Sequence, residues 1–479
     1  MHDAPPATEP PAHLISPTIL GAGVSDSSAT PPPGVKRRSP RAHLSRWVAP
    51  LLLVAACFGF VAFQVSLHNH TSPVDEFVYI DYLAKVPEQL VVSKGEETGQ
   101  YARNYLVCNG VSTAIDPNPD LCDNGEIADS DVPFGGKSTA DIYLPSYFAT
   151  TWVLAQPISA MTGADLVTAG RLVGGFWLAG AGLLIFASLR RLGFPRAFCG
   201  AMPLFIVASL PAWWSTTYIT TDATALVSGA LMAYLLIRYL QTRRHGWTLV
   251  AAATVVVSLK LQNFAAVAVA LLVVLTVHAI ELLRRHRAGA PVQFAEAALG
   301  RLPRLAAGMA LAPMILEVAW IAIKPTVDGG QSVDLQIDQP LGKKALLQES
   351  LKFVGSLTVG ARDPSLFNVV GPTLVSVVGL LITGGLLGMT VGPSKKLPRS
   401  FAVATLSVLL TLGPALAIAT AAVEGYYFPL PTRYGLSLMP FGVLCMAVFF
   451  GQNKAWRWIL GAIAAVLYVS TYWLVYIAN

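Results

Sequence analysis

The sequence predicts an all-α integral membrane protein of about eleven transmembrane helices, with its N-terminus in the cytoplasm and two large loops on the outer side. Three observations predict it. Of the 479 residues, 54% are apolar and only 13% are charged, against about 25% charged in ordinary soluble domains. The apolar residues lie in long blocks, and a run of about 18 or more with few charges crosses a bilayer core of about 30 Å. The basic residues cluster in short segments between those blocks, where they set topology. Backbone groups in lipid must be satisfied within each segment, which favours helices, and barrel-type alternation is absent.

Residues 1–46 are rich in Pro, Ala, Ser and Thr and read as a disordered cytoplasmic tail. The tail closes on Lys36, Arg37, Arg38, Arg41 and Arg46. The transmembrane domain then occupies 47–479. Trp47 to Leu67 is too long for a typical signal-peptide core and reads as a retained signal anchor. Its basic flank places the N-terminus inside, so residues 67–165 form a large extracytoplasmic loop. Val167 to Leu189 returns to Arg190, Arg191 and Arg196. Phe198 to Trp214 and Asp222 to Leu240 follow, closing on Arg243 and Arg244. Trp247 to Leu283 would make a helix of about 55 Å, too long for one span. Basic residues flank both of its ends, so it reads as two short spans with an outer turn at Lys260 to Asn263. Leu305 to Ile323 leads to a second outer loop, 324–364, with an interfacial helix over Leu341 to Phe353. Leu366 to Met389, Phe401 to Val423, Tyr434 to Phe450 and Trp458 to Ile477 complete the set, ending outside. Ile142 to Met161 reads as an amphipathic or re-entrant helix on the outer side. Counting it as a span would put Arg190, Arg191 and Arg196 outside.

The net charge of +6 belongs to this topology and not to nucleic-acid binding. No G-x-x-x-x-G-K-[ST] loop occurs, which argues against a nucleotide-driven pump. Of five cysteines, Cys57, Cys199 and Cys445 lie in or beside spans, while Cys108 and Cys122 share the first outer loop and are disulfide candidates. No metal-ligand spacing is present; Asp116, Asn118 and Asp120 lack the calcium-loop pattern.

Chemistry-bearing residues gather at the outer ends of spans. Asp75, Glu76 and Asp81 follow the first span on a short helix read as lying on the membrane surface. Acids suit a helix start, and a carboxylate there also suits a general base for an acceptor hydroxyl. Arg171, Lys260 and Arg433 are outer cations, an exception to the charge bias. Together they point to an anionic ligand such as a lipid phosphate. Asp222, in Thr220-Thr221-Asp222, reads first as a helix cap and second as a site residue.

In order along the chain, Asp75-Glu76, Tyr143-Leu144-Pro145-Ser146-Tyr147, Ala169-Gly170-Arg171-Leu172, Thr221-Asp222-Ala223, Ser258-Leu259-Lys260 and Thr432-Arg433-Tyr434 with Pro440 resemble the GT-C superfamily of polytopic membrane glycosyltransferases, closest to a bacterial family of GT-C-like membrane proteins. The resemblance runs from Trp47 to the C-terminus. It departs in carrying Tyr79, Ile80 and Asp81 where relatives often have a His, and a single Pro145 for a Pro pair. The resemblance implies a polyprenyl-phosphate sugar donor, a glycan or lipid acceptor in the cell envelope, and inversion at the sugar carbon. It implies Asp75 as base, assisted by Glu76 or Asp81, and Lys260, Arg433 and Arg171 on the donor phosphate. Tyr143, Asp222 and Tyr434 join as further site candidates. No cofactor is demanded, with a divalent cation the one open candidate; the partners are membrane lipids and the two substrates, and no nucleic acid. The rival readings are a transporter or flippase of a lipid-linked substrate and a non-catalytic envelope assembly protein.

Overall fold

The computed structural model describes residues 40–112, 115–124, 127–289, 300–327, 339–392 and 394–476. Every regular element among them is helical, with only isolated β-bridges between loops. The tail expected over 1–46 lies outside the described residues apart from 40–46, which begin helix α1 (Pro40–Ser66). The chain from Ser45 to Asn479 is one unit.

After α1 comes a folded segment of α2 (Glu76–Lys85), α3 (Gln100–Asn109), α4 (Pro119–Asn124) and α5 (Ser146–Thr162). It has its own core, built from Phe77, Tyr82, Leu106, Phe148 and Ile219 among others, with Tyr82 stacked on Phe148 at 4.0 Å. The expectation that α2 lies on a membrane surface is corrected: Glu76 through Leu83 are all buried. The reason is in the residues, since Phe77, Val78, Ile80, Tyr82 and Leu83 point apolar groups to every side of the helix. A disulfide between Cys108 and Cys122 ties α3 to α4. Helix α5 occupies the segment expected over Ile142 to Met161 and is not among the spans.

Within α1, Trp47–Ser66 is the first candidate span; the next is formed by α6 (Leu166–Leu172) and α7 (Gly174–Arg191), which run on as one segment. Next, α8 (Arg196–Ala201) and α9 (Leu204–Val207) meet α10 (Leu210–Thr217) at a 72° bend. Pro203 precedes α9 and Pro211 opens α10, where a missing N–H is tolerated at a helix start and not within a helix. Then follow α11 (Ala223–Thr242), α12 (Trp247–Leu259), α13 (Phe264–Arg287), α14 (Arg301–Ile323), α15 (Lys343–Lys352), α16 (Val370–Val391), α17 (Arg399–Glu424), α18 (Met439–Phe450) and α19 (Lys454–Ser470).

Among the described residues, eight segments are long and apolar enough to cross a membrane, or nine if the bent pair is one span. The chain is a multi-pass α-helical membrane protein. The long apolar stretch after Trp247 does break at Lys260, giving α12, of 13 residues, and then α13. Helix α19, where the last span was expected, has 17 residues. Helix α11 and the segment Thr432–Phe450 are the most enclosed spans, and α14 is among the least. The central pair is pressed together: a Cβ on Gly229 of α11 would meet Ser437 O at 2.0 Å, so only glycine fits there. Asp222 immediately precedes the first of these two spans and Arg433 lies at the start of the second.

Candidate functional site

Four candidate residues from four distant stretches converge on one point. Asp75 stands at the start of α2, Asp222 at the start of α11, Lys260 in the break between α12 and α13, and Arg433 in the 3-10 turn Thr432–Leu438 that leads into α18. Arg433 Nη2 donates to Asp75 Oδ2 at 2.6 Å, and its Nε lies 3.5 Å from Asp222 Oδ2. Lys260 Nζ pairs with Asp222 Oδ1. The result is a chain of alternating charge, Asp75–Arg433–Asp222–Lys260, whose two carboxylates balance its two cations. The side chains of Lys260 and Asp222 are 2% exposed, Arg433 10% and Asp75 31%. The chain is therefore sealed at the lysine end and open at Asp75. Tyr434 lies beside both cations, with Lys260 Nζ 5.5 Å and Arg433 Cζ 5.9 Å from its ring centre.

Local structure explains how each side chain arrives. Asp75 has φ 61°, left-handed backbone that Asp tolerates better than most residues. Its side chain makes no capping bond to α2 and reaches Arg433 instead. Asp222 likewise sits at a cap position without capping α11, so the cap reading favoured from sequence is corrected. What holds its segment is the Thr220 N–H donating to Tyr147 Oη at 3.0 Å and Thr220 Oγ1 donating to Asp222 Oδ2 at 3.3 Å. Lys260 is placed by the helix break and Arg433 by the 3-10 turn. A Cβ on Gly435 would meet Ser356 Oγ at 2.3 Å, so that turn can pack here only with glycine.

The neighbouring acid Glu76 belongs to a second, closed arrangement. Arg171 Nε and Nη2 donate to Glu76 Oε1 and Oε2, each at 2.8 Å. The Ile219 N–H fills Oε1 at 2.9 Å and the Ser72 N–H fills Oε2 at 2.7 Å. Arg171 also donates to His68 O and His70 O. Both residues are buried and fully engaged, so Arg171 ties α6 to the chain after α1 and stands apart from Lys260 and Arg433. Asp81 also lies apart: it accepts the Gly99 N–H at 2.6 Å and pairs with Lys85 at 3.1 Å. Burial raises the Asp81 carboxyl above its ordinary value, against the opposing pull of Lys85 and the Gly99 N–H. Tyr143 faces the open end through a partner that sequence reasoning missed, Tyr79, with the two hydroxyls 2.9 Å apart. Burial raises both phenols, which stay neutral and act as hydrogen-bonding groups. Tyr79 stands one helical turn after Asp75, and that spacing is the signal that would have found it.

No group of three or more His, Cys, Asp or Glu residues among the described residues is arranged to hold a metal. The two site carboxylates already face side-chain cations, so the residues do not fit a divalent ion and no step is derived through one. A cleft of about 700 Å³, lined by His68, Tyr105, Asp165 and Arg171 among others, opens beside the Glu76–Arg171 pair. No protein-family model matches the chain, and no curated protein matches it.

Proposed function

We propose that this protein is a membrane glycosyltransferase of the GT-C type, with about eleven spans, working on the extracytoplasmic face of the cell membrane. It transfers a sugar from a polyprenyl-phosphate donor to a cell-envelope glycan or lipid. The observation that carries this reading is a carboxylate, Asp75, held against Arg433 at the open end of an otherwise buried charge chain. In the reaction, Asp75 takes the proton from the acceptor hydroxyl. The acceptor oxygen forms a bond to the anomeric carbon on the face opposite the donor phosphate. The carbon–oxygen bond to phosphate breaks and polyprenyl phosphate leaves, with inversion. Arg433, the less buried of the two cations, faces the charge that develops on that phosphate. Lys260 acts one step back, holding Asp222 and through it Arg433.

The test is sugar transfer in membranes expressing the wild type or Asp75→Asn. The donors are a panel of radiolabelled polyprenyl-phosphate sugars and the acceptor is native envelope extract. Asparagine keeps the left-handed backbone accessible and removes only the charge. Transfer that falls by a factor of about 100 or more in the equally abundant variant is the expected result. Undiminished transfer in the variant would remove Asp75 as base. No transfer by the wild type from any donor would sink the enzyme reading in favour of an assembly protein or a lipid-linked-substrate transporter.

A further inference from the structure

At the far end of α7 from Arg171, two apolar crevices run along the two sides of α8. One, of about 550 Å³, lies between α8 and α19; the other, of about 490 Å³, lies between α8 and α1. Ala197 and Ala201 line both, so α8 is a narrow ridge between two furrows. The ridge is narrow because its neighbours are small: a Cβ on Gly200 would meet Ala49 at 3.4 Å, and one on Gly461 would meet Ala201 at 3.9 Å. Each furrow has cationic lining. Arg196 lines one, Lys454 and Arg457 the other, and neither has an acidic lining residue.

Positive charge accumulates further around Phe194. Lys396 Nζ lies 4.3 Å and Arg457 Cζ 5.8 Å from its ring centre, and Arg190 donates to its carbonyl. Among the described residues none of these five cations makes an ion pair with a carboxylate; those that are bonded are bonded to carbonyl oxygens. By contrast, the cations of the candidate active site are all matched by acids. Trp458, 71% exposed, stands at the rim, where an indole suits the boundary between lipid and water.

We propose that this face binds one anionic diacyl phospholipid, its phosphodiester held by Arg196, Lys454 and Arg457 and one acyl chain in each furrow astride α8. Two apolar furrows flanking one helix, each with unmatched cations in its lining, fit two chains joined to one negative headgroup. A lone phosphate leaves the furrows empty, and a zwitterionic lipid leaves the cations uncompensated. The site is independent of the transferase reading.

The full chain, purified and washed in dodecyl maltoside, is titrated with phosphatidylglycerol and with phosphatidylcholine of the same chains. Binding is read by native mass spectrometry. The expected result is one phosphatidylglycerol retained at least tenfold more tightly than phosphatidylcholine. Arg196→Gln with Lys454→Gln changes two exposed side chains that make no bond in the structure; it weakens phosphatidylglycerol about tenfold and leaves phosphatidylcholine unchanged. Gly461→Phe fills one furrow without touching a charge and weakens phosphatidylglycerol as well. Equal retention of the two lipids overturns the proposal, as does a double charge variant that binds like the wild type. Full displacement of the lipid by millimolar inorganic phosphate, with Gly461→Phe silent, reduces the site to an anion contact and also overturns it.

Discussion

Replacing Asp222 by Asn strands Lys260. The lysine side chain is 2% exposed and Asp222 is its only ion-pair partner among the described residues, whereas Arg433 keeps Asp75. Removing one member of a buried pair costs about 3–5 kcal/mol. Because Arg433 stays compensated, the loss in Asp222→Asn should lie near the lower end, about 3 kcal/mol. Lys260→Met leaves Asp222 with Arg433 at 3.5 Å, a longer contact, for a loss of about 2 kcal/mol. The double variant removes opposite charges together, and a buried pair exchanged for uncharged groups of similar volume is often close to neutral. It should therefore be less destabilised than the sum of the two by about 2 kcal/mol. The assay is equilibrium unfolding of each variant in mixed dodecyl maltoside and dodecyl sulfate micelles, followed by tryptophan fluorescence. Losses that add to within about 0.5 kcal/mol in the double variant would falsify the description of Asp222 and Lys260 as one electrostatic unit.

The Cys108–Cys122 bridge closes a short loop, with a separation of 14 residues; opening it should cost about 3 kcal/mol. Dithiothreitol should lower the wild type's unfolding midpoint and leave Cys108→Ser/Cys122→Ser unmoved; equal sensitivity in both would contradict the bridge. Burial pushes the pKa of His68 down, opposed by its bond to Gln64 O. The folded state then binds fewer protons than the unfolded one, so stability is full above about pH 6.5 and declines as pH falls toward the lower folded value. A melting temperature that drops between pH 7.5 and pH 5 in the wild type and drops less in His68→Gln is the expected result; identical profiles refute it.

Charge placement made the membrane architecture legible. The length of the stretch after Trp247 and its basic flanks together predict a turn back, and the helix does break at Lys260. A helix does form within Leu341 to Phe353, as α15, a short run between spans. The surroundings of α2 were misjudged because its acids were weighed and its apolar residues on every face were not. The cap reading of Asp222 fails because a capping aspartate and an ion-paired one look the same locally; the difference is Lys260, 38 positions away. Arg433 and Asp75 are 358 positions apart, and no local pattern encodes that meeting. The resemblance grouped Arg433 and Lys260 with Arg171, yet only the fold separates a cation beside a half-open carboxylate from one held by Glu76 and two carbonyls.

Asp75 and Glu76 are adjacent acids with opposite circumstances, and the backbone decides which of them suits base chemistry. A base needs a lone pair that is free and reachable. Glu76 is 0% exposed, and both its oxygens are filled by Arg171 and by backbone N–H groups. Asp75, one residue earlier, has turned into the left-handed region. That turn takes its carboxylate off the helix axis and gives one oxygen, Oδ2, to Arg433. The other oxygen, Oδ1, makes no hydrogen bond or ion pair to a described residue, and the side chain is 31% exposed. Glu76 in turn makes this possible: its bonds to the Ser72 and Ile219 N–H groups pin the residues before α2 and before α11 together. Those are the two stretches that carry Asp75 and Asp222. An exchange that loosens Glu76 should therefore act on Asp75 through position, as a structural acid beside a candidate catalytic one.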